Sequence, residues 1–219
     1  MMKMSRGLFI TLEGPDGCGK TTQALALERE LMHEGKRVLL TREPGGTKLG
    51  EAIREMLLSP ESGLMSPRTE MLLYAASRAQ HVDEVIRPQL EAGTCVISDR
   101  FIDSSLVYQG IGLSLGVAEV LAVNLAATGG LMPDLTIVLC LSAPRARERL
   151  HKKLKQGSMA IDRIESRDGV YQEKVAAGYQ ELRQIFPKRV VLIDADAAPE
   201  SITRGIMNQI HQLERGERP

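Results

Sequence analysis

The sequence lacks an excess of charge of either sign, because 28 lysine and arginine residues are balanced by 28 aspartate and glutamate residues. Proteins that bind nucleic acids or membranes through charge usually carry a strongly basic surface, so we expect neither kind of partner. Any positively charged site must therefore be local. A long apolar run is also missing near the start, where only about five apolar residues precede a glycine-rich turn. We therefore expect no signal peptide and no membrane span.

Cysteine is scarce, and the three cysteines lack the spacing typical of disulfide or zinc sites. Cys95 and Cys140 lie in apolar runs, where a free thiol behaves as a small hydrophobic side chain, and Cys18 stands apart from both. This usage fits a reducing compartment, so we predict a cytoplasmic location.

Short apolar runs rich in β-branched residues recur along the chain. We predict a strand buried on both faces at residues 8–12, 38–41, 94–98, 135–141 and 190–193. Stretches with helical spacing lie between these runs. The alternation predicts one α/β domain over residues 1–219, with a parallel sheet of about five strands flanked by helices. Ligands are expected at the carboxyl ends of the strands.

A phosphate-binding motif follows directly after the first predicted strand. Its residues are Gly14, Pro15, Asp16, Gly17, Cys18, Gly19, Lys20 and Thr21, followed by Thr22. They fit the pattern G-x-x-x-x-G-K-[ST] in a strand-loop-helix setting, where backbone N–H groups and the helix dipole favour phosphate. We predict that this loop binds ATP, with Lys20 on the β- and γ-phosphates and the Thr21 hydroxyl on Mg²⁺. A P-loop alone does not distinguish a kinase from a GTPase or an ATPase.

Further segments carry a resemblance to a known family. They are TREPGGT at 41–47, DRF at 99–101 and DRIE at 162–165, together with LEGPDG at 12–17. In this order and spacing they resemble bacterial thymidylate kinase, over nearly the whole chain from residue 8 to about 194. The resemblance implies a P-loop three-layer sandwich with a short flexible lid. It also implies an ATP- and Mg²⁺-dependent transfer of a phosphoryl group to dTMP, which gives dTDP for dTTP biosynthesis.

The same resemblance assigns residues to the phosphate and sugar of dTMP. Arg42 and Arg100 hold the acceptor phosphate, and a planar guanidinium suits this because it can hold phosphate oxygens in pairs. Asp16 accepts a hydrogen bond from the 3′-hydroxyl of the deoxyribose and helps to order the water shell of Mg²⁺. Asp99 lies near Mg²⁺, and Tyr108 crowds C2′ so that a ribose fits poorly.

The thymine base is assigned to two further segments. A helix is predicted over residues 68–87, and on it Tyr74 and Arg78 lie four residues apart on one face. By resemblance Tyr74 stacks on thymine, and Arg78 donates a hydrogen bond to its O4. After the DRF segment, Asp103 is predicted to cap a short helix. That helix carries Ser104, Ser105 at the N3 edge of thymine, and Gln109.

The predicted chemistry needs positive charge more than a base, because the attacking phosphate oxygen is already ionised at neutral pH. Lys20, Asp16, Arg42, Arg100 and one further arginine are the candidate catalytic residues. Thymidylate kinases place that last arginine after the P-loop aspartate or in the lid. Here Gly17 follows Asp16, so the chain resembles the lid-arginine type, and Arg163 is the candidate. We predict the lid at residues 152–168, where the cationic residues are Lys152, Lys153, Lys155, Arg163 and Arg167.

Two alternatives remain open at this point. The enzyme could phosphorylate another monophosphate, such as dUMP or dGMP, because a thymine methyl group alone contributes only about 1 kcal/mol of selectivity. The chain could instead be a nucleotide-dependent switch, although we find no candidate for a water-positioning residue or a partner surface. The family also implies a homodimer. The apolar helix predicted over residues 117–127 is a candidate interface, but burial within one chain explains its pattern equally well.

Overall fold

The computed structural model describes residues 6–155 and 162–217. In this part of the chain, five parallel strands form one sheet in the order β2-β3-β1-β4-β5. The strands are β1 (Phe9–Glu13), β2 (Val38–Arg42), β3 (Cys95–Asp99), β4 (Leu135–Cys140) and β5 (Val190–Asp194). The predicted α/β class and the five-stranded parallel sheet are confirmed.

Helices cover both faces of this sheet. They are α1 (Lys20–His33), α2 (Lys48–Leu58), α3 (Pro67–His81), α4 (Arg87–Glu91), α5 (Ile102–Ser105), α6 (Val117–Thr128), α7 (Ala143–Lys155), α8 (Gly169–Ile185) and α9 (Pro199–Glu214). A π-helical turn, Val82–Ile86, joins α3 to α4, and another, Leu106–Gly112, extends α5. The first turn confirms the long helix predicted over residues 68–87. In the described residues, no helix is long and apolar enough to cross a membrane.

Alternate residues of β1 enter two separate hydrophobic cores. Phe9 packs in one core with Val175 of α8, whereas Ile10 packs in the other with Leu27 of α1 and Ile206 of α9. Successive side chains of a strand point to opposite faces, so apolar residues at both positions require a helical layer on each side. The three-layer arrangement follows from this pattern.

The prediction that every strand is buried on both faces is right for the central strands and wrong for the edges. β1 is fully buried, and β3 and β4 are buried except at their last residues. β2 and β5 are only partly buried, and Leu192 of β5 is exposed. These two strands have a neighbour on one side only, so the helical layers cover them less completely.

One local prediction also needs correction. Asp103 does not cap α5, because its carboxylate lies in the interior, where it accepts hydrogen bonds from Thr136 (3.0 Å) and Arg189 (2.6 and 2.8 Å). The lid predicted at 152–168 stays a prediction, and α7 continues through Lys155, which lies within this range. Residues 156–161 and the side chains of Lys153 and Lys155 lie outside the described part.

Candidate active site

A cleft with an empty volume of about 620 Å³ lies beyond the carboxyl ends of β1, β2 and β3. Its walls come from the P-loop, α2, α3, the start of α5 and the segment after residue 161. Eight of the nine residues assigned to dTMP by resemblance line it: Asp16, Tyr74, Arg78, Arg100, Ser104, Ser105, Tyr108 and Gln109. Segments distant in the sequence therefore meet where parallel sheets usually bind ligands.

The P-loop joins β1 to α1 and is tightly wound. Gly14 has a φ of 136°, and a Cβ atom there would lie 2.6 Å from the carbonyl oxygen of Leu139. Gly17 has a φ of 84°, and its Cβ would lie 2.7 Å from another carbonyl oxygen, so both positions require glycine. Lys20 lies inside the loop, where its Nζ donates to the carbonyl oxygens of Gly14 (3.0 Å) and Pro15 (3.1 Å).

The two predicted Mg²⁺ residues lie together beside the P-loop. The Thr21 hydroxyl donates a hydrogen bond to Oδ2 of Asp99 over 2.9 Å. The described residues contain no group of three or more His, Cys, Asp or Glu side chains that could hold a metal. Mg²⁺ at phosphate sites is typically bound by one or two protein oxygens, phosphate oxygens and water, so a hydroxyl beside one carboxylate fits this ion.

Arg100 lies between the P-loop and the cleft. Its backbone is left-handed, with a φ of 75°. Its guanidinium forms an ion pair with Asp16 and donates to Gly14 O (3.2 Å), Ser104 Oγ (2.9 Å) and Tyr179 Oη (2.9 Å). Burial alone would raise the pKa of Asp16, but the charges of Arg100 and Lys20 outweigh it and hold that pKa at about 2.

A buried carboxylate, missed by sequence reasoning, supports the turn at Arg100. Glu13 accepts hydrogen bonds from the backbone N–H of Phe101 (2.8 Å) and from Ser104 Oγ (2.6 Å). Burial, together with the neighbouring charge of Asp103, raises the pKa of Glu13 to about 7. Glu13 lies in the LEG segment directly before the P-loop, but that pattern gives no indication of its partners.

Two side chains of α3, those of Tyr74 and Arg78, line the same cleft. Arg78 is fully buried, and its Nε donates to Oε2 of Glu43 over 2.7 Å. Nη1 contacts Ser105 Oγ (3.0 Å) and Asn124, and Nη2 donates to Phe101 O (3.0 Å). This guanidinium is therefore held in one orientation. Tyr74 lies one turn before it, and burial raises its pKa, which keeps the phenol protonated.

Tyr108 contacts both the P-loop aspartate and Arg100, whereas Ser104 contacts Arg100 alone of the two. The Tyr108 hydroxyl donates to Oδ2 of Asp16 over 3.2 Å and accepts from Nη2 of Arg100 over 3.3 Å. The Arg100 guanidinium also stacks on the Tyr108 ring, with its Cζ 5.1 Å from the ring centroid. These contacts join the sugar-side residues of the prediction to the phosphate-side residues.

Arg42 does not line the cleft. Its Nη2 donates to both carboxylate oxygens of Glu51 (2.9 and 3.0 Å), and its Nη1 donates to Pro44 O (3.0 Å). Arg54 of α2 lines the cleft instead, and burial followed by the charge of Arg42 lowers its pKa. Sequence reasoning missed Arg54. The available signal was its place in the first helix after TREPGGT, three residues beyond Glu51 on the same face.

Arg163 is also held by a carboxylate outside the P-loop. Its Nη2 donates to Oε2 of Glu70 over 2.7 Å and its Nε to Leu57 O over 2.9 Å. Its neighbours Asp162 and Glu165 line the cleft, and burial, then their mutual repulsion, raises the pKa of Glu165 to about 7. An action of Arg163 on the transferring phosphoryl group would require it to leave Glu70.

Comparison with known proteins identifies the family. The model of the thymidylate kinase family matches residues 12–206. A thymidylate kinase of an Exiguobacterium species, strain AT1b, is 48% identical over 211 residues, 96% of this chain and 97% of the relative. One from Lactobacillus delbrueckii subsp. bulgaricus is 49% identical over 191 residues, 87% and 89% of the two chains. One from Caldanaerobacter subterraneus subsp. tengcongensis is 46% identical over 211 residues, which are 96% of this chain and 98% of the relative. The chain therefore belongs to the thymidylate kinase family.

Proposed function

We propose that this protein transfers the γ-phosphoryl group of ATP to dTMP in the presence of Mg²⁺ and releases dTDP and ADP. One observation carries the proposal: the guanidinium of Arg100 contacts Gly14 and Asp16 on the donor side and Ser104 and Tyr108 on the acceptor side. A single cation is thus available to the phosphates of both nucleotides.

The donor half of the site is the P-loop. ATP binds through Gly14, Pro15, Asp16, Gly17, Cys18, Gly19, Lys20, Thr21 and Thr22. Thr21 and Asp99 are the proposed residues for Mg²⁺, which neutralises phosphate charge when it is bound. Lys20 exchanges its carbonyl partners, Gly14 and Pro15, for phosphate oxygens.

The acceptor half holds the base and sugar of dTMP. Tyr74 stacks on thymine, Arg78 donates to O4 and Ser105 lies at the N3 edge of the base. Asp16 meets the 3′-hydroxyl, and Tyr108 restricts space at C2′. Ser104 and Gln109 complete this half of the cleft.

Catalysis consists mainly of holding two phosphates together. Two unit charges about 4 Å apart repel by roughly 4 kcal/mol at an effective dielectric constant of about 20, and two phosphates bring several such pairs. Lys20 and Arg100 oppose this repulsion, and Arg54 adds a third cation at the cleft. Arg42 and Arg163 are proposed to join them by leaving Glu51 and Glu70.

We extend the proposal to assembly and location. α6 buries Val120 and Asn124 against its own chain but leaves Leu125 exposed, and Leu72 of the adjacent α3 is also exposed. These two exposed apolar side chains support a homodimer through α3 and α6, which sedimentation at micromolar protein concentration would measure. A cytoplasmic location belongs to the same proposal, because ATP and dTMP are found there.

The test is a titration of the purified protein with dTMP, dUMP, dGMP and dCMP, each with ATP and Mg²⁺, while ADP release is followed. We expect rapid ADP release with dTMP and slow release with the other three acceptors. Comparable rates with dUMP or dGMP would indicate a different monophosphate kinase. ADP release that does not depend on any acceptor would indicate a nucleotide-dependent switch.

A further inference from the structure

Glu70 of α3 is a fully buried carboxylate that has no role in the proposed transfer. Its Oε2 accepts hydrogen bonds from Nη2 of Arg163 (2.7 Å) and Nη2 of Arg167 (2.6 Å). Its Oε1 accepts a hydrogen bond from Nε2 of Gln109 over 3.0 Å. The carboxylate thus connects the segment after residue 161 to a side chain of the cleft wall.

This contact fixes the orientation of the Gln109 side-chain amide. A carboxylate paired with two guanidinium groups offers only acceptors, so the NH₂ group of Gln109 must face Glu70. The carbonyl oxygen Oε1 then points the other way and makes no hydrogen bond within the described part of the chain. In the described residues, every fully buried polar side-chain atom has a hydrogen-bond partner, so an Oε1 without a partner is not fully buried. Gln109 lines the cleft, and we therefore place this oxygen at the cleft surface.

The neighbouring cleft residues have the opposite polarity. Ser105 Oγ accepts from Nη1 of Arg78, which leaves its own hydrogen free to donate. Arg78 has five N–H groups, and its contacts with Glu43, Ser105, Asn124 and Phe101 use four of them. One N–H on Nη2 remains. Because Arg78, Ser105 and Gln109 all line the cleft, these groups can offer a base two donors beside one acceptor.

Pyrimidine bases differ at the edge that would meet this pattern. Thymine and uracil carry an acceptor at O4 and a donor at N3, whereas cytosine carries a donor at N4 and an acceptor at N3. At the N3 edge, the fixed Gln109 amide accepts from the N3–H of thymine, while the Ser105 hydroxyl donates to a neighbouring carbonyl oxygen of the base. The same orientation leaves two acceptors facing each other when cytosine is bound.

We infer that Glu70 is a specificity-determining positioning residue, which excludes cytosine by holding the acceptor end of the Gln109 amide toward the base. This inference rests on the proposed function. With glutamine at position 70, the side chain offers both a donor and an acceptor, so the Gln109 amide can turn over. The preference for thymine then falls.

The experiment measures kcat/KM for dTMP and dCMP, with ATP and Mg²⁺, in the full chain and its variants. Glu70→Gln is expected to lower the dTMP-to-dCMP ratio of kcat/KM by about tenfold. Gln109→Leu is expected to lower the ratio by a similar factor. The double variant with Glu70→Gln and Gln109→Leu should have the same ratio as Gln109→Leu alone. Arg167→Gln is the control, since it loosens the same cluster but leaves the carboxylate on Gln109, so the ratio should stay unchanged.

Three results would overturn the inference. They are an unchanged ratio in folded Glu70→Gln, an equal further fall in the Gln109→Leu background, and a similar fall in Arg167→Gln. If circular dichroism finds Glu70→Gln unfolded, Gln109→Leu decides alone, and an unchanged ratio in that variant contradicts the inference. A wild-type protein that is inactive with dTMP would instead refute the proposed function itself.

Discussion

Arg100 holds the two halves of the site together through one side chain. Its Nη1 alone contacts Gly14, Ser104 and Tyr179, and its charge helps to keep Asp16 ionised. The guanidinium is mostly buried and its partners are fixed, so another side chain would not supply both the charge and the directed hydrogen bonds of arginine.

Arg100→Ala is therefore expected to raise KM for dTMP and to lower kcat, with a combined loss in kcat/KM on the order of 10³-fold. Steady-state kinetics with varied dTMP would measure both constants. Arg204→Ala removes the same charge from an exposed position on α9 and should change neither. A normal KM for dTMP in Arg100→Ala would refute its role at the acceptor phosphate.

Arg163 and Arg167 form a matched pair, because both donate to Oε2 of Glu70. If Arg163 leaves this carboxylate to meet the transferring phosphoryl group, Arg163→Ala should lower kcat on the order of 10²-fold and change KM for dTMP little. Arg167→Ala should lower kcat much less. Equal losses in the two variants would mean that Arg163 only supports Glu70.

Glu13 makes the stability of the protein depend on pH. Its pKa is raised from an ordinary value of 4.5 to about 7, so the folded state binds more protons than the unfolded state between these values. Its contribution to the free energy of unfolding is therefore highest below pH 4.5 and falls as the pH rises toward 7, by roughly 1.4 kcal/mol per pH unit at most.

Glu13→Gln should remove this fall, because an amide does not titrate. Urea unfolding of both proteins at pH 5, 6 and 7 would give the two slopes. Glu165 has its pKa raised in the same direction and remains in both proteins, so the difference between the slopes isolates Glu13. Identical slopes would contradict this account of the pKa shift.

At the scale of elements, α5 is fixed by an interaction that its own sequence does not reveal. Asp103 was predicted as its cap, but the side chain pairs with Arg189, which precedes β5. Asp103 is fully buried, and its bond to Thr136 extends this polar cluster to β4. The cluster thus joins α5, which follows β3, to β4 and to the residue before the edge strand β5.

Asp103→Ala is expected to destabilise the protein by about 3–5 kcal/mol, because it leaves Arg189, whose side chain is only 11% exposed, without its carboxylate partner. Denaturant midpoints would measure the loss. Asp83→Ala removes a carboxylate from an exposed pair with Arg87 and should cost less than about 1 kcal/mol. A loss in Asp103→Ala no larger than in this control would show that the pair contributes little.

Local sequence patterns predicted the helices and strands well, but they did not predict which side chains pair with each other. The ends of the strands were predicted to within one residue, because runs of β-branched residues and a fixed motif depend on near neighbours in the sequence. The burial of β2 and β5 was predicted wrongly, since a run of apolar residues does not reveal its position in a sheet. The pairs of Arg42 with Glu51 and Arg163 with Glu70 were missed because charge alone does not specify a partner.

At the scale of the whole molecule, the sheet order brings the ends of β1, β2 and β3 side by side. In the register of the sheet, Asp99 lies opposite Leu12 of β1 and Arg42 of β2, so DRF, LEGPDG and TREPGGT all begin at one edge. This arrangement accounts for one cleft built from segments distant in the sequence. The single domain over residues 1–219, the lid at 152–168 and the homodimer stay predictions.

In the proposed transfer, two nucleotides bind with their phosphates facing each other across Arg100. The most direct test is calorimetric titration with adenosine and thymidine joined through a chain of five phosphates. We predict one molecule bound per chain, tighter than ATP or dTMP alone, with both nucleotides displaced and the affinity reduced in Arg100→Ala. Displacement of only one of the two nucleotides would show that they do not bind with their phosphates facing each other across Arg100.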